Sequence, residues 1–195
     1  RMRRAAEDAD LSEGQRQVAA SGLKAMMPMA TGGDAPAAPF LDYVITALAD
    51  AGLTDICLVI GPEHQVVRDY YGGLSPSRVT ISFAVQDQPL GTADAVAAAR
   101  EFAGTQRFVV VNSDNYYPVE ALRALVAAPG TATVGFEVAT MVAQSNIPAE
   151  RIAAFALLVV DAEGHLRDIL EKPDPALVAA RGEHALVSMN CFLFG

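Results

Sequence analysis

The sequence has no tryptophan, and it spreads only three histidines and two cysteines over 195 residues. Cys57 and Cys191 both sit inside apolar runs, DICLVI and NCFLF, where a free thiol serves as a small core residue. Their spacing suggests neither a metal clip nor a redox pair. His64, His165 and His184 fall in polar segments without ligand spacing and read as solvent-facing residues. No apolar run approaches the ~20 residues that cross a bilayer, and no charged-then-apolar leader precedes a small-residue cleavage site. The expectation is a cytoplasmic protein without a membrane partner. A net charge of −9 argues against general nucleic-acid binding, which needs excess positive charge to displace counterions from phosphates. Three signatures are missing as well: the G-x-G-x-x-G turn of dinucleotide-binding dehydrogenases, the Walker P-loop and the G-x-S-x-G nucleophile elbow. Lysine is scarcest of all. Of 14 basic residues only Lys24, in GLKAMMPM, and Lys172, in LEKPDP, are not arginine. Genome composition alone would account for that bias, but the contexts of the two lysines point elsewhere.

What is present alternates between helical and strand periodicity. Leu41, Val44, Ile45 and Leu48 recur at helical spacing, and Gly52 can close that helix in a left-handed conformation. DICLVI then reads as a strand. Pro62 can open a helix that runs through Tyr71, Gly72-Gly73 breaks it, and VTISFAV at 79–85 alternates like a strand. Thr92 is placed to cap TADAVAAAREFAG. FVVV follows, then a helix over 118–128, then strands at 132–138, 155–160 and 165–170. DAEG at 161–164 has the composition of a hairpin turn. LVSMNCFLF is the last strand. This order predicts an α/β protein whose sheet is mostly parallel and covered by helices, with antiparallel strands in the second half.

The stretch FVVVNSDNYYP, 108–118, turns from a buried strand into Asn112-Ser113-Asp114-Asn115 within a few residues. Carboxyl ends of strands face the ligand crevice in open α/β sheets, which puts Asp114 where a ligand binds. An Asx-turn would explain the same residue without one.

In chain order, RMRR (1–4), GLKAMMPM (22–29), QDQPLGTADAV (86–96), VVNSDNYYP (110–118), EKPDP (171–175) and VSMNCFLF (187–194) together resemble the sugar-phosphate nucleotidyltransferases. These enzymes join a nucleoside triphosphate to a sugar 1-phosphate and release pyrophosphate. The resemblance runs over nearly the whole chain; each motif is weak alone and the series is specific. It implies a three-layer α/β/α Rossmann-like nucleotide-diphospho-sugar transferase fold. It also implies one domain, incomplete at both ends, with a nucleotide-binding half at about 1–130 and a sugar-phosphate-binding half at about 131–195.

Residue by residue, Arg1-Met2 looks like the end of the family's phosphate loop, and Lys24 like the lysine that offsets charge on the same phosphates. Gln86 and Gly91 have the family's spacing around the nucleobase. Gln carries donor and acceptor on one amide, and Gly allows close backbone approach. Thr92 and Asn115 go with that nucleotide side. Asp114 matches the Mg²⁺ ligand, and Mg²⁺ suits a carboxylate, phosphate oxygens and waters. The resemblance also gives Glu171 the sugar hydroxyls, Lys172 the sugar phosphate, and Ala156, Ser188 and Asn190 further sugar contacts. An exposed Glu171–Lys172 ion pair is the plainer explanation of that pair.

The departures are Leu23 for a proline before the lysine, Phe155-Ala156 for Tyr-Gly, Asn190 for a glycine, and a long insertion between RMRR and GLKAMMPM. The resemblance further implies a second metal-binding carboxylate after Gly195. A homo-oligomer is compatible with all of this. Two other activities stay open: cytidylyl transfer to a non-sugar phosphate, and a non-catalytic regulatory subunit that binds sugar nucleotides.

Overall fold

The computed structural model describes Arg16, Val18 and residues 23–29 and 37–195; Arg1 and the rest of RMRR lie outside the described residues. The chain divides into two compact units. One holds the described residues up to Gln106 together with 113–126, and the other holds 107–112 and 127–195. No helix among the described residues is long and apolar enough to cross a membrane.

In the first unit a short 3-10 turn, Lys24–Met26, leads into β1 (Pro28–Met29), which pairs antiparallel with β2 (Ala38–Pro39). Helix α1 (Phe40–Asp50) buries Leu41, Val44, Ile45 and Leu48, the stripe its periodicity predicts. It ends as expected. Gly52 takes φ 91, its N–H donates to the Ala49 carbonyl, and the Leu53 N–H donates to the Leu48 carbonyl, both at 3.0 Å. That double bond to the last turn satisfies carbonyls the helix would otherwise leave open.

Strand β3 (Asp55–Ile60), helix α2 (Gln65–Gly72) and β4 (Thr80–Val85) follow, with β3 and β4 parallel from Asp55↔Thr80 to Ile60↔Val85. Helix α2 starts three residues later than Pro62 suggests, because residues 61–64 form a turn in which the Gly61 N–H donates to His64 Nδ1 at 3.1 Å. His64 is therefore half-buried and bonded, not solvent-facing; His165 and His184 are exposed as expected. Helices α3 (Thr92–Ala98), α4 (Arg100–Ala103) and α5 (Val119–Ala127) complete this part.

A single carboxylate ties α1 to α2. The hydroxyls of Tyr70 and Tyr71 donate to the two oxygens of Asp42 at 2.9 and 2.7 Å, and the two rings pack edge to face at 4.9 Å. Tyr71 is 3 % exposed, so its hydroxyl has no water to fall back on. Burial and the neighbouring Asp42 charge push both phenols above their usual range. At the far end of α1, Arg78 pairs with the Asp50 carboxylate at 2.5 Å and Arg123 of α5 donates to the Asp50 carbonyl at 2.8 Å.

The second unit is a five-stranded sheet built around β9 (Leu186–Phe194), with β5 (Phe108–Val110), β6 (Ala132–Glu137), β7 (Leu157–Val160) and β8 (Leu166–Leu170). The expectation of a mostly parallel sheet is corrected here. Among the described residues β3–β4 is the one parallel pair, and every pairing in this sheet is antiparallel. The reason is the length of β9. At nine residues it is long enough for β6 to run along one edge while β5 and β7 share the other, at 192–194 and 186–187. β5 thus joins the second unit although it lies within residues 1–130. The DAEG turn forms the β7–β8 hairpin as read.

Helices α6 (Val138–Gln144), α7 (Ala149–Ile152) and α8 (Pro175–Ala180) were not apparent from periodicity, since all three are shorter than two turns. Ile152, Leu157, Val187 and Cys191 are fully buried, and burial pushes the Cys191 thiol up to about 12. Both cysteines are free.

Removing the α1–α2 clamp should be costly. Asp42→Ala leaves a buried tyrosine hydroxyl without its acceptor, so a loss of about 2–4 kcal/mol is expected in chemical denaturation. The midpoint should fall with an unchanged denaturant slope; a loss below about 0.5 kcal/mol would show that water replaces the carboxylate.

Candidate functional site

Gln86 follows β4 directly, at the carboxyl end of the parallel pair, and its N–H extends the ladder by donating to the Ile60 carbonyl at 2.8 Å. The chain then turns sharply. The Leu90 N–H donates to the Gln88 carbonyl at 2.8 Å across Pro89, and Gly91 adopts φ 114, ψ −177. That combination is open to glycine alone, because any Cβ would clash with the backbone. Gly91 itself, not Thr92, is the N-cap of α3, and Thr92 is the first helical residue. The expected cap is displaced by one position because the unusual backbone of glycine makes the turn.

The structure brings Gln86 and Gly91 together. The Gln86 Nε2 donates to the Gly91 carbonyl at 3.0 Å and to Asp94 Oδ2 at 2.8 Å. Asp94 had no place in the sequence reading. Its position two residues into the helix carries no motif signal of its own.

Asp114 and Lys24 are also in this unit, and both are exposed. Among the described residues no hydrogen bond or ion pair engages the Asp114 carboxylate or the Lys24 ammonium. Asn115 is held from behind: its Nδ2 donates to the hydroxyl of Tyr117, which is buried at 1 % exposure. Arg1 lies outside the described residues.

In the second unit Glu171-Lys172-Pro173 links β8 to α8. Asp174 caps that helix by accepting from the Ala176 N–H at 2.9 Å. Lys172 has φ 49. For a side-chain-bearing residue this is costly, and the following proline disfavours departures from extended backbone further. The plainer explanation by an ion pair fails, because neither Glu171 nor Lys172 forms one among the described residues.

Ser188, Ala156 and Asn190 cluster on β9 and its neighbour. The Ser188 N–H donates to the Ala156 carbonyl at 2.8 Å, and Ser188 Oγ, 6 % exposed overall, accepts from the Asn190 N–H at 3.1 Å. The β6–β9 register passes from Thr133↔Phe192 to Gly135↔Ser188, so three residues of β9, Met189 to Cys191, oppose the single residue 134. Asn190 sits in that bulge at φ 58. Asn tolerates the left-handed region better than most residues, which explains how it can stand where the resemblance expects a glycine.

One cluster falls outside the expected set. Asp161, Glu163 and His165 each offer a ligand atom within 4.8 Å of the others. Asp161 is already occupied: it accepts from the Glu163 and His165 N–H groups at 3.1 and 2.8 Å and pairs with Arg167 at 2.5 Å. The His165 N–H, first among these contacts, holds its carboxyl below the usual range. It staples the hairpin turn.

Comparison with known proteins places the chain in an α/β class first. It superposes on apo UDP-glucose pyrophosphorylase with a TM-score of 0.65 at 14% identity, over 88% of this chain and 68% of that one, a likeness of fold. Residues 22–195 match the Nucleotidyl transferase family, and the chain belongs to that family. The low-salt glycan biosynthesis nucleotidyltransferase of Haloferax volcanii is 29% identical over 82% of this chain and 41% of its own length. A glucose-1-phosphate thymidylyltransferase of Streptomyces antibioticus is 35% identical over 40% of this chain and 22% of its own. The chain thus spans less than half the length of these relatives.

The left-handed bulge gives a direct test. Asn190→Gly should unfold within about 1 kcal/mol of the parent, whereas Asn190→Val, β-branched at the same φ, should lose roughly 1–3 kcal/mol. Equal stability of the two variants in thermal melts would show that the bulge is not held at positive φ.

Proposed function

We propose that the protein is the nucleotidyl-transferring part of an enzyme that joins a nucleoside triphosphate to a sugar 1-phosphate, releasing pyrophosphate and forming a nucleotide sugar. The observation that carries this reading is backbone strain. Among the described residues only two non-glycine residues have positive φ, Lys172 and Asn190; the resemblance gives the first to the sugar phosphate and the second to the sugar. Such conformations persist where function needs them. Family membership over residues 22–195 supports the same activity.

On this reading Gln86 and Gly91 hold the base, Thr92 and Asn115 support that side, and Lys24 and Arg1 offset charge on the departing pyrophosphate. Lys172 meets the sugar phosphate, Glu171 accepts from sugar hydroxyls, and Ala156, Ser188 and Asn190 shape the sugar's surroundings. A phosphate oxygen of the sugar 1-phosphate attacks the α-phosphorus, and the bond to the bridging oxygen of pyrophosphate breaks in line. The attacking group is already ionised, so no general base is required. Charge repulsion between the two reactants is the obstacle, and cationic clamps address it.

Asp114 is the residue to hold Mg²⁺. Its carboxylate is exposed and unengaged among the described residues, which fits an ion bound by one or two carboxylates plus substrate phosphates. Bound there, the ion would neutralise phosphate charge. A cytoplasmic setting, where triphosphates are made, accords with the reading.

The full-length protein should release pyrophosphate from one preferred triphosphate with a sugar 1-phosphate in a crossed substrate screen. Lys172→Ala is expected to raise the KM for the sugar 1-phosphate about tenfold or more and leave that for the triphosphate near the parent value; Asp114→Asn should cut turnover by about 10³-fold. Absence of release with every combination, or equal loss toward both substrates in Lys172→Ala, would refute this assignment.

A further inference from the structure

The contacts of the Gln86 amide go beyond the spacing that marks it as a base contact. A glutamine amide has two N–H donors on its nitrogen and one acceptor oxygen. Both donors are used here, one on the Gly91 carbonyl at 3.0 Å and one on Asp94 Oδ2 at 2.8 Å. The orientation is not arbitrary. Turning the amide over would aim its oxygen at a carbonyl and a carboxylate, placing three acceptors together. The bond to Asp94 is charge-assisted and so is the stronger of the two. The Gly91 carbonyl is fixed in turn, because it also accepts from the Ala95 N–H at 3.1 Å and its backbone conformation excludes other residues. Among the described residues the Gln86 oxygen has no partner.

Resting on the nucleotidyl-transfer reading, we propose that Asp94 is a specificity-determining positioning residue: it locks Gln86 so that only the amide oxygen meets the nucleobase, which must present an N–H donor there and not a carbonyl. Asp94 touches the reading group and not the substrate. Its effect is to remove one of the two hydrogen-bonding options that a free glutamine would have. A carbonyl edge placed against the locked oxygen would desolvate two acceptors against each other, which a site of this kind rejects. An amino or imino edge would be accepted.

The test uses the full-length protein and, for whichever natural triphosphate it uses best, the analogue that lacks the facing donor. These are purine riboside triphosphate for ATP, the 4-deaminated pyrimidinone triphosphate for CTP, 3-methyl-UTP for UTP or its 5-methyl counterpart, and inosine and 1-methylguanosine triphosphates for GTP. In the parent, kcat/KM should fall about 100-fold from the natural triphosphate to the analogue. In Asp94→Ala the amide is free to turn, so that ratio should shrink to about tenfold or less, with a raised triphosphate KM and an unchanged KM for the sugar 1-phosphate. Asp94→Asn keeps an oxygen that can accept the same hydrogen bond and should restore the parent ratio. Any added methyl bulk is common to all three proteins and cancels in the comparison. A parent ratio near one overturns the proposal without any variant. So does an Asp94→Ala protein that loses the same factor on every triphosphate, which is what a merely structural role would give. Failure of the parent to release pyrophosphate from any triphosphate would instead overturn the nucleotidyl-transfer reading on which this rests.

Discussion

The second unit depends on one strand. β9 has partners on both edges, and two of them, β5 and β7, share a single edge at its opposite ends. Sharing works only if the register is fixed along the whole length, since a one-residue slip would turn Val187, Met189, Cys191 and Leu193 out of the core. The bulge at Met189 to Cys191 lies between the two halves of that register. It adds length and twist where the strand passes from its β7 partner to its β5 partner, and it puts Asn190 into the left-handed region. The feature that reconciles the partners of β9 is therefore the one that shapes the sugar side of the proposed site.

Much of the fold could be read from local pattern, and what could not has a common cause. β3 and β9 match the apolar runs DICLVI and LVSMNCFLF residue for residue, and Gly52 closes α1 as its position suggests. In each case the signal lies within a few residues of the structure it specifies. Strand partnership is different. Nothing near FVVV says that it pairs with a strand more than 80 positions later, so a parallel arrangement was the natural expectation from alternating helices and strands. His64 shows the same limit on a smaller scale, since a histidine in a polar segment gives no hint that its ring will accept the Gly61 N–H.

Charge shows a parallel division. Several arginines serve the scaffold: Arg78 and Arg123 fasten to Asp50, Arg167 to Asp161, and Arg68 lies over the Phe83 ring at 5.1 Å. A planar guanidinium with five donors suits such fixed multiple contacts. Both lysines, by contrast, are exposed and have no ion pair among the described residues. A compact, rotatable ammonium suits a mobile polyanion, which arrives and leaves. The uneven use of the two residues thus has a physical reading beside the compositional one.

The motifs that carry the resemblance are weak one by one, and the structure suggests why. Gly91 and Asn190 are distinguished less by side-chain chemistry than by positive φ, and Lys172 adds the same backbone constraint to its charge. Asn190 stands where the resemblance expects a glycine and still holds a positive φ, so a pattern written in letters loses a match that a pattern written in dihedral angles would retain. The Gln86 amide extends the point to side chains. Its identity was legible, but its usable chemistry was not, because an aspartate eight positions on and the carbonyl of Gly91 decide which end of the amide is left to act.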